Sequence, residues 1–256
     1  MEFSKNNVKL IRSLQIKKFR DKFNKFIAEG DKICLEMLRN PNHQIEGIFT
    51  LADWAATKQA LLKRQSVRAS IITSAEMKVL SALKTPANVL IVAKKPDQEA
   101  EKIQLSQQWT LYLDGIQDPG NLGTILRIAD WFGLAAVFCS EDSADVYNNK
   151  VIQSSMGAFL RVPVFRKNLN TIRTEQSVNF PIYGAAMEGA NILEIENLPP
   201  GMIIMGNEGQ GIRPEKMEMI DSFIHIPKGG SGGAESLNVG VACGIICAQL
   251  ARLKDR

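Results

Sequence analysis

The sequence predicts an α/β protein of two domains in tandem: a small basic domain over 1–96 and a parallel-sheet domain over 109–256. Three observations predict it. Short apolar runs alternate with helix-period segments along most of the chain. The stretch KKPDQEAEKIQLSQQ is polar, charged and interrupted by proline, which marks a linker, placed at 97–108. Charge also changes sign there: residues 1–96 hold 18 Lys and Arg against 8 Asp and Glu, while 97–256 hold 13 against 19.

Composition narrows the class. A chain of 256 residues with 45% hydrophobic and 23% charged content is that of a globular protein with a sizeable core. No apolar run approaches the roughly 20 residues that cross a membrane, and MEFSKNNVKLIRSL lacks a secretory apolar core. A cytoplasmic protein is expected. Four scattered cysteines do not make a disulfide framework. Cys243 and Cys247, spaced i,i+4, read as small core residues; with two histidines in the chain, no metal site is expected.

In the first domain, residues 4–14 predict an amphipathic helix with Leu10, Ile11 and Leu14 on one face. The segment 15–25 follows, where Lys17, Lys18, Arg20, Lys22 and Lys25 alternate with Phe19 and Phe23. Residues 1–25 carry eight cations, Arg12 among them, and two anions, so a polyanion is the expected partner. Cations beside aromatic rings suit a phosphate backbone with a stacked base. Strands are predicted at 26–28, 45–51, 70–72 and 89–93. Helices are predicted at 31–39, capped by Asp31, at 54–64, and from Ser74. Nothing in this domain looks like a catalytic constellation.

The second domain opens with a strand at 111–113, a turn DPGN at 118–121 and a helix at 122–132 closed by Gly133. Its turn presents Asn121, and Arg127 sits on the early helix; open α/β sheets place ligands at such strand–helix turns. Further strands are predicted at 135–139, 162–165, 182–185, 202–205 and 223–226, with helices at 151–158 and 171–177. Apolar strands between helices imply a parallel sheet covered on both faces. The strand at 202–205 runs into GNEGQG (206–211), which is neither a phosphate loop nor a dinucleotide fingerprint. The strand at 223–226 runs into PKGGSGGAE, where Ser236 or Asn238 can cap a final apolar helix. A basic tail (Arg252, Lys254, Arg256) suits the end of that helix.

Three loops thus stand in order, each after an apolar strand: DPGNLGTILRIADWFG, GNEGQG and IPKGGSGGAESLNVGVA. Together they closely resemble the three signature motifs of the SpoU (TrmH-type) RNA 2′-O-ribose methyltransferases, of the SPOUT class. KVIQSSMGAFLRVPV resembles that family's middle segment. More loosely, residues 1–96 resemble the ribosomal-protein-like RNA-binding domain that precedes its catalytic domain.

The resemblance implies a catalytic domain with a deep trefoil knot, S-adenosyl-L-methionine as cofactor and a homodimer acting on ribosomal or transfer RNA, with the separate leading domain leaning toward ribosomal. It places Gly206, Ile226 and Leu237 at the cofactor, held largely by backbone groups. It places Asn121, Arg127, Glu208, Ser236 and Asn238 among the polar active-site residues, with Arg127 reaching across the dimer interface. Arg12, Lys17, Lys18, Arg20 and Lys22 are the expected RNA contacts. Two departures stand out: the loop between Pro227 and Ser236 is longer than usual, and Gln153 stands where many relatives carry Arg. The rival reading is a non-catalytic RNA-binding or ribosome-assembly factor on the same scaffold; a dinucleotide-dependent oxidoreductase is disfavoured by the missing fingerprint.

Overall fold

The computed structural model describes residues 1–97, 100, 103–175 and 179–254. It divides into two compact units, Met1–Asp97 with Tyr147–Gly157, and Gln98–Val146 with Ala158–Arg256. Of the expected linker, residues 98, 99, 101 and 102 lie outside the described residues, as do 176 and 177 of the expected helix at 171–177 and Arg256 of the basic tail.

The first unit holds strands β1 (Lys25–Glu29), β2 (Ile45–Thr50), β3 (Ala69–Ile71) and β4 (Val89–Lys94), in the order β1-β4-β2-β3. β4 is antiparallel to β1 and β2, and β2 is parallel to β3. Val89 to Ala93 are all buried, as a central strand covered on both faces requires. Leu90 and Val92 pack with Ile11 and Leu14 from the first helix, α1 (Lys5–Ser13) and its C-cap, and with Met77 and Leu80 of the helix Ser74–Leu80. That second helix starts with a capping box: Thr73 Oγ1 accepts from Glu76 N at 3.2 Å, and Glu76 Oε2 accepts from Thr73 N at 2.8 Å.

Four local expectations change. Residues 15–25, read only as basic, contain helix α2 (Lys17–Phe23), stopped by Asn24 in the left-handed region at φ 51°. The helix Asp31–Arg39 (α3) is preceded by Gly30 without a side-chain cap, so Asp31 sits in its first turn instead, where a carboxylate favours the helix dipole. The expected helix at 54–64 is two short ones, α4 (Ala52–Thr57) and α5 (Gln59–Leu62), broken at Lys58. With the helix Ser74–Leu80 as α6, the helix expected at 151–158 becomes Asn149–Ser155, and it groups with the first unit. Gln153 Nε2 donates to the Glu29 carbonyl at 2.9 Å, and the Tyr147 ring lies 4.8 Å from that of Phe26. β1 is an edge strand of its sheet, and this segment covers it.

The second unit is a six-stranded sheet, parallel throughout: β5 (Thr110–Leu113), β6 (Ala136–Cys139), β7 (Val164–Arg166), β8 (Ile182–Asn191), β9 (Met202–Met205) and β10 (Ser222–His225), ordered β10-β8-β9-β5-β6-β7. Every residue of β5, β6 and β9 is buried. Tyr112, Phe138, Phe165, Phe180, Ile182, Met202 and Ile204 form one core, joined by Leu169 and Ile172 from the helix Leu169–Glu175. With Asn149–Ser155, Leu169–Glu175 and Pro214–Met217 as α8, α9 and α10, the helix Pro119–Trp131 (α7) packs against the last helix, Val239–Lys254 (α11). A Cβ on Gly240 would sit 3.1 Å from the Thr124 side chain, so glycine lets these two helices close.

The expected turn at 118–121 is instead the helix start. Asp118 caps α7, its Oδ1 accepting from Asn121 N at 2.9 Å, and Pro119 takes the first helical position, where its missing N–H costs nothing. Topology then fixes where a ligand belongs. From β5 the chain builds outward through β6 and β7, crosses to β8, and returns to insert β9 beside β5. The carboxyl ends of β5 and β9 therefore meet where the winding reverses, the position at which open parallel sheets bind ligands.

Candidate active site

Three chain segments leave that end of the sheet. α7 leaves β5, the loop 206–211 leaves β9, and the loop 226–238 leaves β10 and enters α11. The sequence-predicted residues Asn121, Glu208 and Asn238 sit one on each, and the fold brings them together. Asn121 Nδ2 donates to Glu208 Oε1, and Asn238 Nδ2 donates to Asn121 Oδ1 at 3.0 Å. Asn238 Oδ1 in turn accepts from Gly240 N at 2.9 Å and Val241 N at 3.3 Å, so Asn238 rather than Ser236 caps α11. Both ends of the Asn121 amide are used, which fixes its orientation. Glu208 has one oxygen occupied and, among the described residues, no donor on the other.

Arg127 lies further along α7. It is exposed, and among the described residues its guanidinium has no hydrogen bond or ion pair. Ser236 is exposed too, with no side-chain hydrogen bond among the described residues. The fold does not bring Arg127 or Ser236 into hydrogen-bonding contact with the asparagine–glutamate cluster.

The glycine loop after β9 is not slack. Asn207 and Gly211 exchange backbone hydrogen bonds at 2.9 Å each, Asn207 Oδ1 accepts from Gly209 N at 2.9 Å, and Asn207 Nδ2 donates to the Gly115 carbonyl at 2.8 Å. A Cβ on Gly206 would fall 2.2 Å from the Gly211 carbonyl carbon, so only glycine lets the strand end pass flush against the loop's return. By contrast, among the described residues no backbone N–H from Lys228 to Leu237 donates to a backbone carbonyl. Leu237, 49% exposed, stands uncovered there, with Ile226 half-buried at the other end of the loop. An exposed leucine beside unengaged backbone amides leaves both apolar surface and hydrogen-bond donors open at this loop.

A second polar cluster lies behind the first, and sequence reasoning missed it. Asp114, fully buried at the end of β5, accepts from Arg213 N at 2.9 Å and Arg213 Nε at 2.8 Å, and from Nη2 as well. Arg213 reaches on to Asp142, at 3.2 and 3.3 Å. The hydrogen bond to Asp114, with both carboxylates beside it, raises the proton affinity of the guanidinium above its ordinary value. Asp142 is held below the usual carboxylate range, first by the Ser140 hydroxyl at 2.7 Å and then by Arg213. The available signal is an aspartate one residue past a buried strand and an arginine two residues past a glycine loop.

In the first unit Arg12, Lys17, Lys18 and Lys22 are exposed. Phe19 and Phe23 stack at 6.3 Å, with Lys22 Nζ 5.5 Å from the Phe23 ring. Arg20 is a correction. It is 2% exposed and donates through Nη1 to the Leu14 and Gln15 carbonyls at 2.9 Å each, so it ties α2 to the end of α1 and is not a surface cation. Among the described residues no group of three or more His, Cys, Asp and Glu is placed to hold a metal, and no helix is long and apolar enough to cross a membrane.

Comparison with known proteins bears on this arrangement. The SpoU rRNA Methylase family matches residues 108–248, and the MRM3-like substrate binding domain matches 5–91. The chain is 32% identical to the 23S rRNA (guanosine(2553)-2′-O)-methyltransferase RlmP of Bacillus subtilis, over 98% of both chains. A solved structure from Porphyromonas gingivalis, assigned to the TrmH family of RNA methyltransferases, superposes with a TM-score of 0.84 at 35% identity, covering 98% of both. An AdoMet-bound rRNA methyltransferase from Sinorhizobium meliloti gives 0.86 at 25% identity, covering 98% of this chain and 97% of that one.

Proposed function

The chain belongs to the SpoU rRNA methylase family, and from that premise we infer that it methylates the 2′-oxygen of an rRNA ribose with S-adenosylmethionine as donor. The observation that carries the reading is the Asn121–Glu208–Asn238 cluster, which joins the three motif loops at the switch point of the sheet. When bound, the cofactor supplies an electrophilic sulfonium methyl. The residues present fit it: Leu237 and Ile226 offer an apolar seat, and the amides of 228–237 and the close-packed backbone at Gly206 offer main-chain contacts.

The chain's own residues then have a short task. A ribose hydroxyl is a poor nucleophile, so its oxygen must be held in line and its proton taken. Arg127 is a fixed cation with no other partner among the described residues, suited to gripping the 2′-oxygen and its neighbouring phosphate and stabilising the negative charge that develops. A guanidinium does not deprotonate readily in proteins, so its role is charge stabilisation; as the O–CH3 bond forms and the C–S bond breaks, the ribose proton passes to the neighbouring phosphate or to water. Asn121, locked at both ends of its amide, fixes the relation between α7 and the loops. Glu208 keeps one oxygen free to receive a substrate donor, and Ser236 adds a hydroxyl beside Leu237.

The finer reading extends to substrate and assembly. The whole-length similarity to RlmP supports a 23S rRNA guanosine as target, in the cytoplasm, with residues 1–96 as the RNA-binding domain presenting Arg12, Lys17, Lys18 and Lys22. The C-terminal segment carries the trefoil knot of the family through loops 206–211 and 226–238. A second copy of the chain covers the face of α7 that holds Arg127 and the 83%-exposed Trp131, so that Arg127 serves the partner's site. The test is to incubate the protein with radiolabelled S-adenosylmethionine and 23S rRNA from a strain lacking the gene, then map the methylated ribose. Label on one guanosine 2′-oxygen is the expected result. Salt-dependent RNA binding with no transfer would leave only a binding factor on this scaffold.

A further inference from the structure

The Asp114–Arg213–Asp142 cluster, buried at its Asp114 end and open at Asp142, has a shape that stability alone does not explain. Asp114 ends β5 with its own N–H donating to the Met205 carbonyl at 2.9 Å, so its carboxylate stands beside the last residue before Gly206. Arg213 stands two residues past Gly211, at the return of the same loop. The backbone N–H and the side chain of Arg213 both close on that one carboxylate. The far edge of its guanidinium takes Asp142, itself held by Ser140, whose hydroxyl also accepts from Gly115 N at 2.9 Å. Gly115 in turn receives the side chain of Asn207, the second residue of the loop. The chain that carries the loop 206–211 is therefore tied to the chain leaving β5 at Met205, Asn207 and Arg213.

A planar fork spanning two carboxylates sets position and angle together, which a single ammonium cannot do. Buried ion pairs contribute weakly to stability compared with apolar packing of the same volume; their better-attested use is to fix one geometry among several. The geometry fixed here is that of the loop holding Gly206 and Glu208.

We propose that Arg213 is a positioning residue for methyl transfer: by clamping Asp114 and Asp142 it sets the 206–211 loop so that Gly206 meets the cofactor and Glu208 meets Asn121. This rests on the methyltransferase reading above. It differs from a general ion-pair role in predicting that the shape of the cation matters beyond its charge.

The test uses the full chain with Arg213→Lys and Arg213→Gln. Binding of S-adenosylhomocysteine by calorimetry, thermal unfolding, and kcat and KM for the cofactor are measured side by side. Arg213→Lys keeps a cation beside Asp114, so its unfolding temperature stays near that of the parent. Its affinity for S-adenosylhomocysteine nevertheless falls about tenfold, with kcat/KM down on the order of 100-fold, the scale of a displacement of about 1 Å at a reacting site. Arg213→Gln loses at least as much affinity. Parental affinity and kcat/KM in a folded Arg213→Lys protein would overturn the proposal, as would failure of Arg213→Lys to fold, since the cation would then serve structure alone. Failure of the parent itself to bind S-adenosylhomocysteine would instead count against the methyltransferase reading.

Discussion

Arg127 and Arg213 both belong to segments that leave the carboxyl end of the parallel sheet, one on the helix after β5 and the other just past the loop after β9, and they differ in almost every respect. Arg127 is exposed, with no partner among the described residues; Arg213 is 29% exposed and holds two carboxylates, one of them fully buried. A cation that the fold leaves unpaired remains available to a polyanionic substrate. A cation whose donors are already engaged transmits position instead. Charge type alone therefore says little about function; what distinguishes the two is whether the protein has already satisfied the charge.

The largest expected effect follows from the unpaired member. Arg127→Ala should slow single-turnover methyl transfer by about 10²–10³-fold, the range for removing one stabiliser of developing charge. Since it removes an exposed, unpaired side chain, the unfolding free energy should move by no more than about 0.5 kcal/mol. Transfer at the parental rate would break the contrast with Arg213, because Arg127 would then be only a solvated cation.

Arg20 repeats the contrast in the first unit. Truncating it to Ala leaves the Leu14 and Gln15 carbonyls without their donor in a buried site, and should cost about 1–3 kcal/mol in denaturant unfolding. Lys17→Glu with Lys18→Glu should leave stability nearly unchanged and act on RNA instead. Every RNA phosphate that these lysines no longer neutralise should lower the slope of log affinity against log salt by about 0.7–0.9, read by filter binding at several ionic strengths. An unchanged slope would remove these lysines from the RNA surface.

How much of this was legible in the sequence depended on how local each signal was. Buried strands were: MIIM and VLIVA are continuous apolar runs, and a strand covered on both faces has no other pattern. The start of α7 was misread because Asp-Pro-Gly-Asn serves equally as a turn and as a cap followed by Pro at the first helical position; only the Asp118–Asn121 hydrogen bond separates them. Asn121, Glu208 and Asn238 were found through resemblance of motifs, while their mutual hydrogen bonds span 87 and 117 residues and are written in no local pattern. Arg20 misled because a cation between two phenylalanines reads as surface until the helix turns it inward. Asp114 and Arg213 were missed for the same reason of range: each looks ordinary, and the pair is made across 99 residues.

The smallest effect tests the comparison from the carboxylate side. Glu29 is buried like Asp114, but among the described residues its carboxylate receives only the Ser81 hydroxyl and the Ala82 N–H, the latter at 2.9 Å, and no cation. Burial consequently raises its pKa above the ordinary carboxylate value. A carboxyl with a raised folded pKa is one whose ionised form the fold disfavours. That cost is absent below the unfolded pKa, about 4.3, grows as pH rises through the folded value, and is full at neutrality. Glu29→Gln keeps an acceptor for Ala82 without the charge, so it should stabilise the protein at pH 7 by less than about 1 kcal/mol and have no such advantage near pH 4. Asp114→Asn should do the reverse at pH 7, because it removes the buried carboxylate that faces both Arg213 and, at 3.7 Å, the buried Lys216. Melts of both variants at the two pH values decide the matter: if Glu29→Gln destabilises at pH 7 as Asp114→Asn does, then pairing with a cation is not what separates the two buried carboxylates.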